Sequence, residues 1–375
     1  MSKARELAEL GAVYDSGALS NRNIIINGAM QVAQRGTSST GLGTTAGYYT
    51  VDRYNIAVGG TATAGRFTMT QESDGPSALS GLANSIKLAC TTADTSIAAG
   101  ENLRIVHIME GQDLQRLKKG TSSAESFTIS FYVKGNAAAT YICEVYDLDN
   151  GRHIGKTFNV TSDWNRIELT FPGDTTGALD DDNASSLQIT FWLHSGTTNT
   201  SGTLPATWAA ASNANRAGGL STSFYDSTSR TFFLTGLQME VGTEATPFEH
   251  RTFADELQRC SRYFQAINYA NGAIISIGAN YSAAAAAVPM HYTNGEMRST
   301  PTITMPATGQ TSGTASLLAG SSTYPSTTGS HSATAINDQN YTILASSYSG
   351  LAGAGTASWF YASGTVDPFK YDAEL

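Results

Sequence analysis

Apolar and polar positions alternate with a period of two through much of the chain. Phe127, Ile129, Phe131 and Val133 are interleaved with Thr128, Ser130 and Tyr132, and Tyr141, Cys143 and Val145 form a second such face. Ile167, Leu169 and Phe171 alternate with Glu168 and Thr170. Leu187, Ile189, Phe191 and Leu193 alternate with Gln188, Thr190 and Trp192, and Leu237, Met239 and Val241 with Gln238 and Glu240. Successive side chains of a strand point to opposite faces, so each run reads as a half-buried strand. Asp149-Asn150-Gly151, Thr161-Ser162-Asp163 and Pro172-Gly173-Asp174 punctuate the runs as turns. Short strands at this spacing, without helices between them, predict an antiparallel β-sandwich or jelly roll.

Two segments follow a helical pattern instead. Residues 2–10 have good helix propensity but only Leu7 and Leu10 as an apolar face, so the segment either docks or associates, or it frays. In residues 251–264, Phe253, Leu257, Cys260 and Phe264 share one helical face, with Thr252 as the start signal. That face suits core packing and packing between chains equally. After Gln265 the chain becomes rich in Ala, Ser, Thr and Gly, and charge nearly vanishes between Met305 and Asn337. Thr302-Ile303-Thr304 and Tyr341-Thr342-Ile343-Leu344 predict a second, smaller β domain that depends on partner chains for a full core; 305–335 reads alternatively as a mobile loop. The expected all-β organisation is an N-terminal anchoring or oligomerisation segment with a short helix over 1–20, a sandwich over 21–250, a linking helix over 251–265, and a C-terminal β domain over 266–375.

Composition sharpens this picture. Of 375 residues only 14% are charged, the net charge is −9, and there are 37 glycines. An average soluble domain has roughly 25% charged residues, so a Lys/Glu-rich helical protein is excluded. No Lys/Arg cluster exists to release counterions from a duplex, so no nucleic acid is expected as a partner. The acidic balance repels anionic membranes, and no run of 18 apolar residues exists, so no membrane insertion is expected. Lys3, Arg5, Glu6 and Glu9 have no apolar run behind them, unlike a secretory signal peptide. Cys90, Cys143 and Cys260 are too few and too scattered for a disulfide framework or a CxxC metal site.

Catalytic and metal motifs are largely missing. No two of the six histidines lie three or four apart, and there is no G-x-S-x-G elbow. Gly155-Lys156-Thr157 lacks the earlier glycine of a phosphate loop, since Asn150 stands there. Asp147-Leu148-Asp149-Asn150-Gly151 fits a hairpin turn better than a calcium loop. Asp180-Asp181-Asp182-Asn183 is either an exposed loop or a cation site. A Ser/His/Asp arrangement assembled in three dimensions stays open. No catalytic residue, metal ligand or cofactor is therefore assigned. Aromatics are frequent, with 17 Tyr, 14 Phe and 4 Trp, and Tyr48, Tyr49, Trp192 and Trp208 fall at strand exteriors or in loops. Flat rings beside polar side chains suit sugar rings, and they equally suit a core or a subunit interface.

Three stretches carry a family resemblance. Asn23–Gly36 (NIIINGAMQVAQRG), with Asp52-Arg53-Tyr54, resembles an opening segment of tail-fibre-type proteins of tailed bacteriophages, especially of marine and cyanobacterial hosts. Phe232–Glu249 (FFLTGLQMEVGTEATPFE), followed by His250-Arg251 and by Glu256-Leu257 through Tyr263-Phe264, resembles the closing strand of a carbohydrate-binding-module-like jelly roll leading into a short helix. Val288-Pro289-Met290 and Met297–Thr304 resemble the C-terminal domain of such fibres. The resemblance implies a virion appendage assembled in the host cytoplasm: a homotrimer whose N-terminal segment attaches to another virion protein and whose distal domain faces outward. It implies adhesion to a host-surface glycan without catalysis. The alternatives are a structural capsid-decoration fibre or tail adaptor without receptor binding, or a polysaccharide depolymerase. Tyr324, Tyr348 and Trp359 are the expected contacts if the distal domain binds, and Tyr48, Tyr49 and Trp208 if the sandwich surface does.

Overall fold

The structure is a computed structural model. It describes residues 3, 21–60, 64–76, 80–270, 273–282, 284–292, 294–305, 314–319, 322–324, 330–335, 339–346, 357–363 and 369–375. The helix expected over 2–10 falls, apart from Lys3, outside the described residues. The chain divides into two compact units, residues 1–256 with Leu375, and residues 257–374. All strand pairings described are antiparallel, and the class is all-β, as the period-two pattern predicts.

The first unit is a two-sheet sandwich. One sheet has six strands in the order β1 (Ser38–Leu42), β4 (Arg66–Glu72), β5 (Ser85–Thr92), β13 (Thr231–Val241), β7 (Phe127–Gly135) and β10 (Asn165–Phe171). The other has seven, in the order β12 (Ala209–Ala210), β9 (Arg152–Val160), β8 (Ala139–Asp147), β11 (Ser185–Ser195), β6 (Asn102–Glu110), β3 (Asn55–Gly59) and β2 (Gly47–Tyr48). The chain crosses repeatedly between the sheets, which is the jelly-roll habit. The inward residues are those the alternation picks out: Phe127, Ile129, Phe131, Val133, Tyr141, Cys143, Val145, Leu187, Ile189, Phe191 and Leu193 share one buried core. Phe131 meets Phe158 and Phe191 edge-on at 5.2 and 5.0 Å between ring centres.

In β13 the parity changes: Phe232 and Leu234 face the core before Gly236, and Leu237 and Met239 after it. The register against β7 shifts between Thr235 and Gln238, a β-bulge, and Gly236 there has φ +62°. A residue with a side chain would be strained in that conformation.

The resemblance segments at the two ends of this unit are joined by polar contacts. Asn23 donates through Nδ2 to the Leu237 carbonyl at 3.2 Å and accepts the Met239 N–H at 3.1 Å. Asn27 lies in left-handed backbone at φ +59°, donates through Nδ2 to the Val32 and Asp52 carbonyls, and accepts the Val32 N–H. Its own N–H donates to Glu256 at 2.9 Å. Asp52 accepts two hydrogen bonds from Gln34. These side chains are spent on holding the backbone, so the motif is architectural.

The linking helix α3 runs Phe253–Ser261, following α1 (Thr197–Thr200) and α2 (Asn213–Arg216). Thr252 caps it by accepting the Asp255 N–H at 3.2 Å. The expected apolar face is only partly used: Cys260 is buried, but Phe253, in the first turn, is 56% exposed. Phe264 already belongs to a strand, so the helix is shorter than 251–265.

The second unit contains a three-stranded sheet, β14 (Phe264–Ile267), β23 (Phe369–Asp372) and β17 (Thr302–Thr304). Its larger sheet has the order β19 (Ser322–Tyr324), β18 (Thr314–Ala319), β22 (Ala357–Ser363), β15 (Ile274–Ser282), β16 (Ala285–His291), β21 (Asn340–Ser346) and β20 (Ser330–Ala335). Its core replaces scarce aliphatics with tyrosine. Tyr292, Tyr341 and Tyr371 cluster with ring centres 5.2–5.3 Å apart, and the Tyr341 and Tyr371 hydroxyls bond to each other.

Candidate functional site

Directly paired residues of antiparallel strands share a face, so register maps the outer face of the seven-stranded sheet. One row across it reads Thr157, Ile142, Trp192, Arg104 and Ala57. The next reads Gly155, Glu144, Thr190, Val106 and Asn55, and the third His153, Tyr146, Gln188 and Ile108. Residues 196–220 fold over one part of this floor: Leu204, Ala217 and Leu220 pack on Ile142 and Trp192. Tyr146, Arg104, Ile108, Asn55 and Ala57 remain half-buried. The six-stranded sheet has a different outer face, where Leu82, Phe248 and Trp164 pack onto Ala29 and Tyr132.

Glu144 organises the covered side. It is fully buried. Oε1 pairs with His153 Nδ1 and Arg216 Nε, both at 2.9 Å, and Oε2 accepts from Trp192 Nε1 and an Arg216 terminal nitrogen, also at 2.9 Å. Burial pushes its carboxyl upward, but the bonds from His153, Arg216 and Trp192 outweigh this and hold it below the usual range. Arg216 also stacks over Tyr146, 4.3 Å from the ring centre. Trp192 is thus an outward residue, as the alternation predicts, yet is only 1% exposed because Arg104 and Arg216 both lie against it.

The three sandwich aromatics singled out from sequence do not converge. Tyr48 and Tyr49 lie at the β2 edge of the seven-stranded sheet, with the Arg35 guanidinium 5.2 Å from the Tyr48 ring centre. Tyr49 donates to the Thr45 carbonyl. Trp208 precedes β12 at the opposite edge, six strand spacings or roughly 29 Å away. Its Nε1 donates to the Pro172 carbonyl, and its ring lies 5.3 Å from Lys119 Nζ. The cavity beside it, lined by Leu117, Phe127 and Leu187 among others, has about 10 Å³, room for about one water. Trp359 is 37% exposed and pairs with Ile277, itself 58% exposed. Tyr324 is opposite Leu317 in the β18–β19 pair, its side chain outside the description, and Tyr348 lies outside the described residues.

The open chemical questions resolve geometrically. Asp147 accepts the Asn150 N–H at 3.0 Å in the β8–β9 turn and takes Lys119 Nζ at 2.5 Å, so that acidic run is a turn anchored by a buried ion pair. Asp180, Asp181 and Asp182 are all exposed, and Asp182 accepts the Ala184 N–H. Among the described residues no three His, Cys, Asp or Glu side chains converge on a metal position. A serine and a carboxylate do flank His194: Nδ1 is 2.8 Å from Ser223 Oγ, but Nε2 is 4.0 Å from Glu101, beyond hydrogen-bonding reach. Ser223 Oγ caps the turn at Phe224–Asp226 by accepting the Tyr225 N–H, and among the described residues His194 has no carboxylate within hydrogen-bonding reach to orient it.

No protein-family model and no curated protein matches the chain. Solved structures similar to it include the family 11 carbohydrate-binding module of cellulosomal cellulase Lic26A-Cel5E of Clostridium thermocellum, with 16% identity over 55% of this chain and 97% of that one and a TM-score of 0.27. TmCBM61 in complex with β-1,4-galactotriose has 10% identity over 60% and 100%, at 0.28. The CBM22-1 xylan-binding domain from Paenibacillus barcinonensis Xyn10C has 15% identity over 56% and 94%, at 0.25.

Proposed function

We propose that the chain is a fibre protein of a tailed-bacteriophage virion that adheres to a host-surface glycan and does not cleave it. The observation that carries the glycan reading is the half-open floor of the seven-stranded sheet. There Tyr146, Asn55 and Arg104 are half-buried and offer an aromatic ring, an amide and a guanidinium from neighbouring strands. Sugars combine apolar C–H faces with hydroxyl edges, and such a mixed floor complements both. Strand-borne side chains, several locked by packing, cost little ordering on binding.

The virion assignment rests on the resemblance of residues 20–36 and 232–264 to tail-fibre-type proteins. A homotrimeric state is supported by the second unit, where Ile274, Ile277, Leu344 and Trp359 are exposed on strands of one sheet. Uncharged apolar strand faces of this kind are commonly covered in an assembly. Trp359 beside Ile277 therefore fits a subunit contact better than a sugar platform. Weak single sites become effective when several act on one particle.

The test is co-sedimentation of the full chain with isolated host surface polysaccharide, together with a reducing-end assay on the supernatant and light scattering of the protein. Binding without released ends, by a species of three chains, is expected. Released reducing ends would replace adhesion with depolymerisation, and a trimer that binds no polysaccharide would leave a structural fibre.

A further inference from the structure

Arg104 is an unusual cation. Its guanidinium lies 4.9 Å from the centre of the Trp192 ring, and its Nε donates to Asn102 Oδ1 at 3.0 Å. These two contacts fix the plane of the fork. Its two terminal nitrogens make no hydrogen bond to any described residue, and no carboxylate lies within ion-pair distance of them. The nearest acid on this face, Glu144, is already closed by the two-pronged Arg216 contact and by His153 and Trp192. Arg104 and Arg216 approach the same indole, so their guanidinium carbons are within about 10 Å of each other. Burial, then the neighbouring Arg216, pushes the Arg104 guanidinium down to about 10, while Glu144 acts in the opposite sense. A positive spot is thus held, oriented and unneutralised, in a chain of net charge −9.

A guanidinium fork with free terminal N–H groups matches a planar anion through two parallel hydrogen bonds. Around it the floor is neutral: Thr190, Val106, Gln188, Asn55 and Ala57. We infer that the outer face of the seven-stranded sheet takes an anionic saccharide, with Arg104 pairing its charged group and Asn55 and Tyr146 facing its hydroxyls and ring. The inference rests on the glycan-binding reading and adds the charge class of the sugar. The acidic balance of the chain as a whole confines recognition of an anion to this face.

The experiment compares the full chain with polygalacturonate, dextran sulfate, neutral mixed-linkage glucan and poly(dT) by titration calorimetry. Salt is raised from about 0.05 to about 0.5 M to screen exposed charge. Binding to polygalacturonate, dextran sulfate or both, weakened by salt and reduced at least tenfold in Arg104→Gln but less in Arg104→Lys, is expected. Which of the two binds separates a carboxylate from a sulfate ligand. The salt response of the unaltered chain keeps the test valid if Arg104→Gln fails to fold. Binding to the neutral glucan alone, or anionic binding indifferent to both salt and Arg104→Gln, overturns the inference and leaves glycan adhesion standing. Binding to poly(dT) alone overturns it in favour of nucleic acid. Binding to no polysaccharide overturns both.

Discussion

Gly28 and Leu237 meet backbone to backbone. The Leu237 N–H donates to the Gly28 carbonyl at 3.0 Å, and a Cβ at residue 28 would overlap the Leu237 carbonyl oxygen. The segments 23–36 and 232–249 are thus one structural unit, although more than 200 residues of chain separate them. Gly28→Ala must push one backbone away from the other. The expected cost is about 1–3 kcal/mol, the usual range for overpacking, read as a lower urea midpoint with an unchanged denaturant slope.

Glu144 makes a second prediction. Removing its carboxylate leaves Arg216 and the Trp192 N–H without their partner in a buried setting. Glu144→Ala should lose about 3–5 kcal/mol, and Glu144→Gln, which keeps acceptor capacity, less. Because the folded carboxyl is held below its unfolded value, its contribution is complete above about pH 4.3 and is lost as pH falls through the folded value. Urea melts of the wild type and Glu144→Gln should therefore converge in acid.

His194 adds a separate pH dependence. Burial pushes its pKa down to about 4 from 6.5. The unfolded chain binds the proton first, so the His194 contribution is complete above about pH 6.5, falls between 6.5 and 4, and changes no further below 4. The loss is on the order of 3 kcal/mol. His194→Gln should flatten the stability–pH curve within that window and leave it unchanged above pH 7.

The thiols should be silent in the native protein. Cys90, Cys143 and Cys260 are all buried and none is in a disulfide, and burial pushes the Cys90 and Cys143 thiols up, away from the reactive thiolate. Titration with a disulfide reagent should find no fast-reacting thiol in buffer and three in denaturant.

Much of the sandwich is legible in the sequence because one face of each strand is buried, and the alternation of Phe127–Val133 and Leu187–Leu193 records this directly. The pattern fails where the backbone leaves the pleat: at Gly236 the bulge reverses the inward parity of β13. The site is less legible. Trp192 can be recognised as outward, but its burial under Arg104 and Arg216 depends on strand order and on the fold-over of residues 196–220. Strand order also separates Tyr48 and Tyr49 from Trp208, although all three read from the sequence as aromatics of one sandwich surface. Glu144, Tyr146, Gln188 and Arg104 carry no motif; their signal is a polar residue at successive outward positions of adjacent strands, visible only once register is known.

The glycan-holding role of the seven-stranded sheet is tested most directly by measuring how tightly the full chain binds isolated host surface polysaccharide before and after Tyr146→Ala and Asn55→Ala. Both positions are on the floor, and neither belongs to the core of the sandwich. At least tenfold weaker binding for each variant, about 1.4 kcal/mol or more, with an unchanged far-UV circular dichroism spectrum, is the predicted result. Undiminished binding by both variants would contradict the account and move adhesion to another surface.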